Sequence, residues 1–310
     1  MHELSFVALL GLVTACSTLQ GDTAARTLTA ASSVPTSFEA RQLASPVVAN
    51  VPVLPHGLTS FGAVEHEGVL YVLGGYSGMP HAYSAKDQHG ELLAYEDGQW
   101  SIVSEVPKVQ GAALVSHATG LVRVGGMRAL NETVSTESEL VSVDTVQRFN
   151  ASDGTWSDLP ALPQGRSSHD AVVIGDTLFV VGGWTLDHQP KAGAWSSDMF
   201  TLDLSREGAV WKRRATPFSR RALAVASAGG KLFVLGGMDA ERRISQSLEV
   251  YEPGTDAWTQ AANFPGQGFG MAAVGRGSTV HARVGSTALT GPLDATARGT
   301  VLKPVLEVIS

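Results

Sequence analysis

The sequence predicts an all-β protein, a β-propeller of four-stranded antiparallel sheets, and three observations carry that reading. Five apolar runs of strand character end on a glycine pair or its remnant: Leu70 to Gly75, Leu121 to Gly126, Leu178 to Gly183, Leu232 to Gly237 and, decayed, Val280 to Ser286. Their first glycines, Gly74, Gly125, Gly182, Gly236 and Gly285, follow at intervals of 51, 57, 54 and 49 residues, a period that marks a repeat architecture. Around each stop lies the same series: an apolar run upstream, another downstream, a polar turn, and then Trp100, Trp156, Trp211 or Trp258 in four of the five. Four short strands per period make a sheet that cannot bury both faces alone, so the sheets must stack around an axis.

Each element has a local reason. The inner strand of each repeat is the upstream run: Gly62 to Val64, Ala112 to Val115, Ala171 to Ile174, Ala222 to Ala226 and Met271 to Val274. The second strand is apolar without alternation, which fits burial on both faces. Its glycines (Gly74, Gly75, Gly125, Gly126, Gly182, Gly183, Gly236, Gly237) end it with backbone freedom, and with no Cβ they leave room for a large neighbour. The tryptophan of the fourth strand is expected to fill that room. Third strands run through Val146 to Phe149, Met199 to Leu204 and Leu248 to Tyr251, and turns such as Glu96-Asp97-Gly98 and Ser152-Asp153-Gly154 lead back.

Double glycine, then Tyr or Phe, then Trp at this spacing resembles the kelch motif, over roughly residues 48–309. Kelch propellers more often have six or seven blades; five are counted here, six being the alternative. Val48 to Pro55 matches the fourth-strand stretch Trp156 to Pro163, and Leu306 to Ile309 matches the third strand Leu248 to Tyr251. The last repeat thus lacks a fourth strand and the start of the chain has a spare one, whose pairing would close the ring without an exposed edge. The propeller is assigned to residues 38–310.

Ahead of it, Leu4 to Val13 is apolar over the length of a signal-peptide core and too short to span a bilayer. It runs into Val13-Thr14-Ala15-Cys16, which resembles the lipobox of bacterial lipoproteins, and Cys16 is the only cysteine. The resemblance implies a signal peptide over 1–15, lipidation of Cys16, and a Ser/Thr/Ala-rich tether over 16–37 reaching about 25 Å. It places the propeller in the bacterial cell envelope, held to the outer membrane or facing the periplasm by the lipid anchor alone. A net charge of −7 over 310 residues argues against nucleic acid as a partner. The single cysteine allows no intramolecular disulfide, and a monomer is expected.

In a four-stranded meander, the loops between strands two and three share a face with the connections between sheets. Those loops are long, about Tyr76 to Glu91, Met127 to Thr145, Trp184 to Asp198, Met238 to Ser247 and Thr287 to Val305, so that face is the binding face. It collects His56, Lys108, Gln110, Arg166, His169, Arg220, Arg221 and Gln267 from the connections, with Tyr76, Met127, Trp184, Met238 and Thr287 after the glycines. Aromatic rings beside Arg and His suit a sugar or a polar peptide. The candidate ligand-binding set is His56, Tyr76, Arg166, His169, Trp184, Arg220 and Arg221; Arg166 and His169 also fit a structural role between blades.

His81, Asp87, His89 and His188 match no metal spacing, so neither metal nor cofactor is expected. The basic Lys212-Arg213-Arg214 reads as a solvated edge, and the acidic Glu132, Glu137, Glu139 and Asp144 as a solvated insertion. The expected function is a non-catalytic module binding a protein or glycan. The kelch resemblance offers an alternative, a sugar-acting enzyme of the sialic acid mutarotase type using His56, His169 and Arg221, although no carboxylate is evident near the axis. A copper-radical galactose oxidase is excluded, because its cofactor needs a cysteine inside the propeller.

Overall fold

A computed structural model of the chain describes residues 39–42, 53–134, 138–188, 193–261, 263, 268–283 and 305–309. Among the described residues the apolar runs form five four-stranded antiparallel sheets, the blade form of a β-propeller. The first contains Gly62–His66, Val69–Tyr76, Gln88–Glu96 and Gln99–Glu105, and the second Ala113–His117, Gly120–Val124, Val146–Asn150 and Thr155–Asp158. The third contains Asp170–Ile174, Thr177–Val181, Asp198–Asp203 and Lys212–Ala215, and the fourth Ala224–Ala228, Lys231–Leu235, Leu248–Glu252 and Ala257–Gln260. The fifth joins Ala272–Arg276, Thr279–Arg283 and Val305–Ile309 to Glu39–Gln42 from the other end of the chain.

The core lies between sheets rather than inside any one of them. Inner strands pack in chain order, first against second through fourth against fifth. Alternate residues of one second strand serve two cores: Leu178 and Val180 face the second sheet, with Val122, Val124 and Val146, while Phe179 and Val181 face the fourth, with Val225, Val234 and Tyr251. Two apolar faces on one strand are the reason for its unbroken hydrophobic run.

Two expectations are corrected. The strand pairing with Val305–Ile309 is Glu39–Gln42, in the register Glu39 opposite Ile309 and Gln42 opposite Leu306, upstream of Val48 to Pro55. Val48 itself lies outside the described residues, and Val53 to Pro55 form no strand. Pro160 and Pro163 stand at the same places behind the strand Thr155–Asp158, so prolines do not decide between the two stretches; Glu39 to Gln42, with an N–H at every position, complete the ladder with Leu306 to Ile309.

The second correction concerns the glycine pairs. All four intact pairs have positive φ, for example 67° at Gly182 and 88° at Gly183. That turn aims the second glycine's N–H at the next sheet: Gly75 donates to Val109 O at 2.9 Å, Gly126 to Arg166 O at 2.8 Å, Gly183 to Arg220 O at 2.8 Å and Gly237 to Gly268 O at 2.8 Å. The space a Cβ would need at Gly125 is filled by Arg166 O at 2.5 Å, and at Gly183 by Ser167 O at 2.6 Å. Backbone and loop side chains thus occupy the room assigned to tryptophan.

The tryptophans instead cover the third strand of their own sheet. Trp100 packs on Tyr95 with ring centroids 5.1 Å apart, Trp156 on Phe149 at 5.0 Å, Trp211 on Phe200 at 6.2 Å and Trp258 on Tyr251 at 5.0 Å. Two indole N–H groups reach back to the preceding repeat, Trp156 to Ser104 Oγ at 3.0 Å and Trp211 to Pro160 O at 2.9 Å.

Gly183→Ala, with both strained φ and an occupied Cβ site, is expected to cost about 3 kcal/mol, whereas Gly175→Ala, with open space around it, costs about 1 kcal/mol. Trp156→Ala, losing a half-buried indole, is expected to cost about 2–3 kcal/mol. Denaturant unfolding of the three variants beside the wild type measures all three differences, and equal losses at the two glycines would refute the packing role.

Candidate functional site

The short segment ahead of each inner strand supplies the frame of the site. One position in each segment has positive φ: Ser60 at 55°, Gly111 at 62°, Ser168 at 52°, Ala222 at 51° and Gly270 at 61°. These residues link the sheets, Gly111 N–H donating to Ser60 O at 2.6 Å, Ala222 N–H to Ser168 O at 2.7 Å and Gly270 N–H to Ala222 O at 2.9 Å. The residue just before each of the first four makes a β-bridge to the residue after that repeat's glycine pair: Thr59 to Tyr76, Gln110 to Met127, Ser167 to Trp184 and Arg221 to Met238. Backbone pairing therefore brings the expected ring positions to the lead-in segments.

The long loops above this frame dock on one another. Short strands Met127–Ala129, Leu140–Ser142 and Asp187–His188 make a small sheet that joins the loops of the second and third sheets. Buried Gln88 cross-links the first two: its Nε2 donates to Gln110 Oε1 at 3.0 Å and to Met127 O at 3.2 Å, and its Oε1 accepts from Ala129 N–H at 2.9 Å. Lys108 Nζ donates to Ala85 O at 3.1 Å. The acidic loop is engaged too, Glu139 pairing with His188 at 2.7 Å.

Three arginines of this face have different surroundings. Arg166 is fully buried, lies 4.4 Å over the Phe200 ring and pairs with Asp198 at 2.5 Å. Arg220 repeats that arrangement one sheet on, 4.4 Å over Phe218, paired with Glu249 and donating to Ser245 and Ser247. Arg221 lies 4.3 Å over Trp184, with Trp195 at 5.4 Å and Phe269 at 5.8 Å, and among the described residues it has no carboxylate partner. Among the described residues its side chain's polar contact is Met238 Sδ at 3.8 Å. Trp184, Trp195, Arg221, Met238 and Phe269 are all half-buried, so the group is open to solvent on one side.

The other expected site residues are placed as follows. Tyr76 is buried, its hydroxyl donating to Ala82 O at 2.5 Å and its ring edge-on to Tyr83 at 5.5 Å. His56 stacks on His89 at 4.5 Å. His169 is buried; burial, helped by the nearby Arg166 charge, pushes its pKa down to about 3, against the pull of the Val124 and Arg166 backbone. Gln267 and Thr287 lie outside the described residues, as does Cys16. Within the basic cluster, Arg213 pairs with Asp198 and Arg214 with Asp256.

Sequence reasoning missed Tyr83, Trp195 and Phe269, which meet residues of other repeats, Tyr83 the cluster of Met127, Leu140 and Leu186 and the other two Arg221, and it missed Asp170. The Asp170 carboxyl is buried on the third inner strand and accepts from Ala171 N–H and Val225 N–H, each at 2.8 Å, clasping the third and fourth sheets. Burial raises its pKa to about 7 while those two donors pull it down. Its position beside His169, at the start of an inner strand, was the available signal. The sequence reading set His89 with His81, Asp87 and His188; the structure sets it beside His56 and Glu91, and alternation along one strand puts His89 and Glu91 on the same face.

The repeated sheets, their glycine links and the loop-bearing face define a kelch-type propeller. A family model described as the KLHDC2/KLHL20/DRC7 Kelch-repeats domain matches residues 56–282, and the chain belongs to the kelch-repeat family. It is similar to Kelch-like protein 25 of Xenopus tropicalis, 27% identical over 209 residues, which are 66% of this chain and 32% of that protein. It is also similar to Kelch-like protein terF of Aspergillus terreus, 23% identical over 221 residues (68% and 46%), and to Beta-scruin of Limulus polyphemus, 29% identical over 118 residues (38% and 13%). Those matches cover less than half the length of each of these relatives.

Asp170 and His169 give stability a pH dependence of opposed sign. Between about pH 4 and about 7 folded Asp170 holds a proton that the unfolded chain has lost, so its contribution falls as pH rises. Between about pH 3 and 6.5 the unfolded imidazole takes a proton that folded His169 refuses, so its contribution is lost as pH falls. Denaturant titrations from pH 4 to 8 are expected to show Asp170→Asn gaining stability with pH up to about 6.5. His169→Leu is expected to lose roughly 3 kcal/mol between pH 4 and 7. Parallel profiles for both variants and the wild type would rule out the assignment.

Proposed function

We propose that this chain is a non-catalytic, five-bladed kelch propeller that holds a protein partner on its long-loop face. Five sheets packed in chain order, the last containing strands from both ends of the chain, support the ring. The kelch-repeat relatives point to a protein-binding module. The observation that carries the reading is Arg221, held over Trp184 beside Trp195 and Phe269 with no carboxylate partner among the described residues, while Arg166 and Arg220 close by each have a carboxylate. An arginine framed by aromatic rings is the composition of an interface hot spot, and its free donors fit a carboxylate of the partner. A glycan is the second ligand class, since the same rings offer a stacking platform. The mutarotase reading is weakened by His169, which is buried and held neutral away from any substrate.

Export and anchoring rest on the apolar Leu4 to Val13 and on Cys16. Among the described residues no helix is long and apolar enough to cross a membrane, and the proposed attachment is a lipid on Cys16. Intact mass of the protein from its native membrane fraction is expected to show a chain beginning at Cys16 with acyl mass, lost in Cys16→Ser; an unmodified soluble protein would remove the anchor.

The binding reading is tested by affinity capture from native extracts with quantitative comparison of variants. Partners retained by the wild type should fall at least about tenfold with Arg221→Glu and with Trp195→Ala, and stay constant with Arg214→Ala on an outer strand. Unchanged capture by both loop-face variants, with unchanged melting curves, would sink it.

A further inference from the structure

The first sheet carries a second, separate cluster at the point where the chain enters it. His56 lies in the segment ahead of the inner strand Gly62–His66, and His89 and Glu91 occupy alternate positions at the start of Gln88–Glu96. One ligand atom from each of the three lies within 4.8 Å of the other two. The two imidazoles stack at 4.5 Å with 25° between planes, and His56 Nε2 is buried without a hydrogen-bond partner.

Hydrogen counting shows what the cluster lacks. Ser77 Oγ lies 3.3 Å from Asp87 O and 2.9 Å from His89 Nε2. The Asp87 carbonyl already accepts Ser77 N–H at 3.0 Å, so the Ser77 hydroxyl is free to accept from His89 Nε2–H. In that tautomer His89 Nδ1 offers its lone pair beside Glu91 Oε2, 3.2 Å away. The unpartnered Nε2 of His56 adds another group in need of a partner, and in its Nε2-bare tautomer a third lone pair. In these tautomers two imidazoles and a carboxylate, with donor atoms within 4.8 Å of one another, make the donor set of an open zinc site, in which the remaining position is left for water or an outside ligand. Ser77 then serves as the outer partner that fixes the His89 tautomer.

We propose that His56, His89 and Glu91 bind one divalent transition-metal ion, zinc by its donor set. The ion clamps the lead-in segment to the third strand of the first sheet, just after the chain has crossed from Glu39–Gln42 of the fifth. Another His–acid cluster, His188 with Glu139 and Asp187, is a contrast: all three side chains are more than half exposed, as in an ordinary surface ion pair. It supplies the control.

The test is calorimetric titration of the untagged, metal-stripped full chain with Zn2+, together with the visible spectrum of the Co2+ form. The expected result is one zinc per chain, weakened at least tenfold by Glu91→Gln and by His56→Asn, about tenfold by Ser77→Ala, and unchanged by His188→Asn. Circular dichroism in chelator checks that each variant folds; if Glu91→Gln does not, Ser77→Ala and the Co2+ spectrum of the wild type decide. No stoichiometric binding by the wild type, or binding that survives His56→Asn and Glu91→Gln and disappears with His188→Asn, overturns the proposal.

Discussion

A single backbone hydrogen bond, repeated between sheets, is the constraint on which the arrangement depends. The second glycine of each pair donates to a carbonyl just ahead of the next inner strand, from Gly75 to Val109 through Gly237 to Gly268. Two consecutive residues of positive φ are needed to aim that N–H, and the first glycine must lie against the same carbonyl region with no Cβ between. Sheet spacing is thereby fixed at the loop end, and the apolar second strands are clamped with both faces against neighbours. The tryptophans then act at the opposite edge, covering the aromatic residue of each third strand.

The same carbonyls and φ angles place the functional side chains. Because each lead-in segment is pinned to the preceding glycine pair, its arginine or histidine has little freedom in where it points. Arg166 and Arg220 turn into the protein, find carboxylates and hold the blades. Arg221, one residue on, is carried by the β-bridge to Met238 toward the tryptophans of the neighbouring loop. Adjacent residues thus acquire opposite roles through alternation along an extended segment. The loops themselves form a second layer, tied by Gln88 and by the small sheet around Leu140–Ser142, so the binding face is presented by supported loops rather than free ones.

The architecture was legible because its causes are local and recur. Continuous apolar runs, Asp-Gly turns and glycine stops each obey short-range rules, and five repetitions make chance agreement untenable. Inner strands fell within about two residues of their observed limits. The spare N-terminal strand was legible as a requirement, but its position was not: Val48 to Pro55 resembles a fourth strand in side chains, and the place beside Val305–Ile309 is taken by Glu39–Gln42, which has no tryptophan to mark it. The candidate site was legible in part. Trp184 and Arg221 were found from their place in the repeat, whereas Trp195 and Phe269 sit at no repeated position and became visible only when loops from different sheets met.

The sequence by itself determined the repeat, the sheet composition, the end of each second strand and the face that carries the long loops, since these follow from periodicity and backbone stereochemistry along a few residues. Tertiary structure alone decided which charges are spent and which are free. Arg166 finds its carboxylate 32 residues away and Arg220 finds its own 29 residues away, separations over which no spacing rule operates. Arg221 finds none among the described residues, and His56 meets His89 and Glu91 only because a lead-in segment crosses the start of a third strand. Compensation of charge is a property of neighbours in space, and the fold chooses those neighbours.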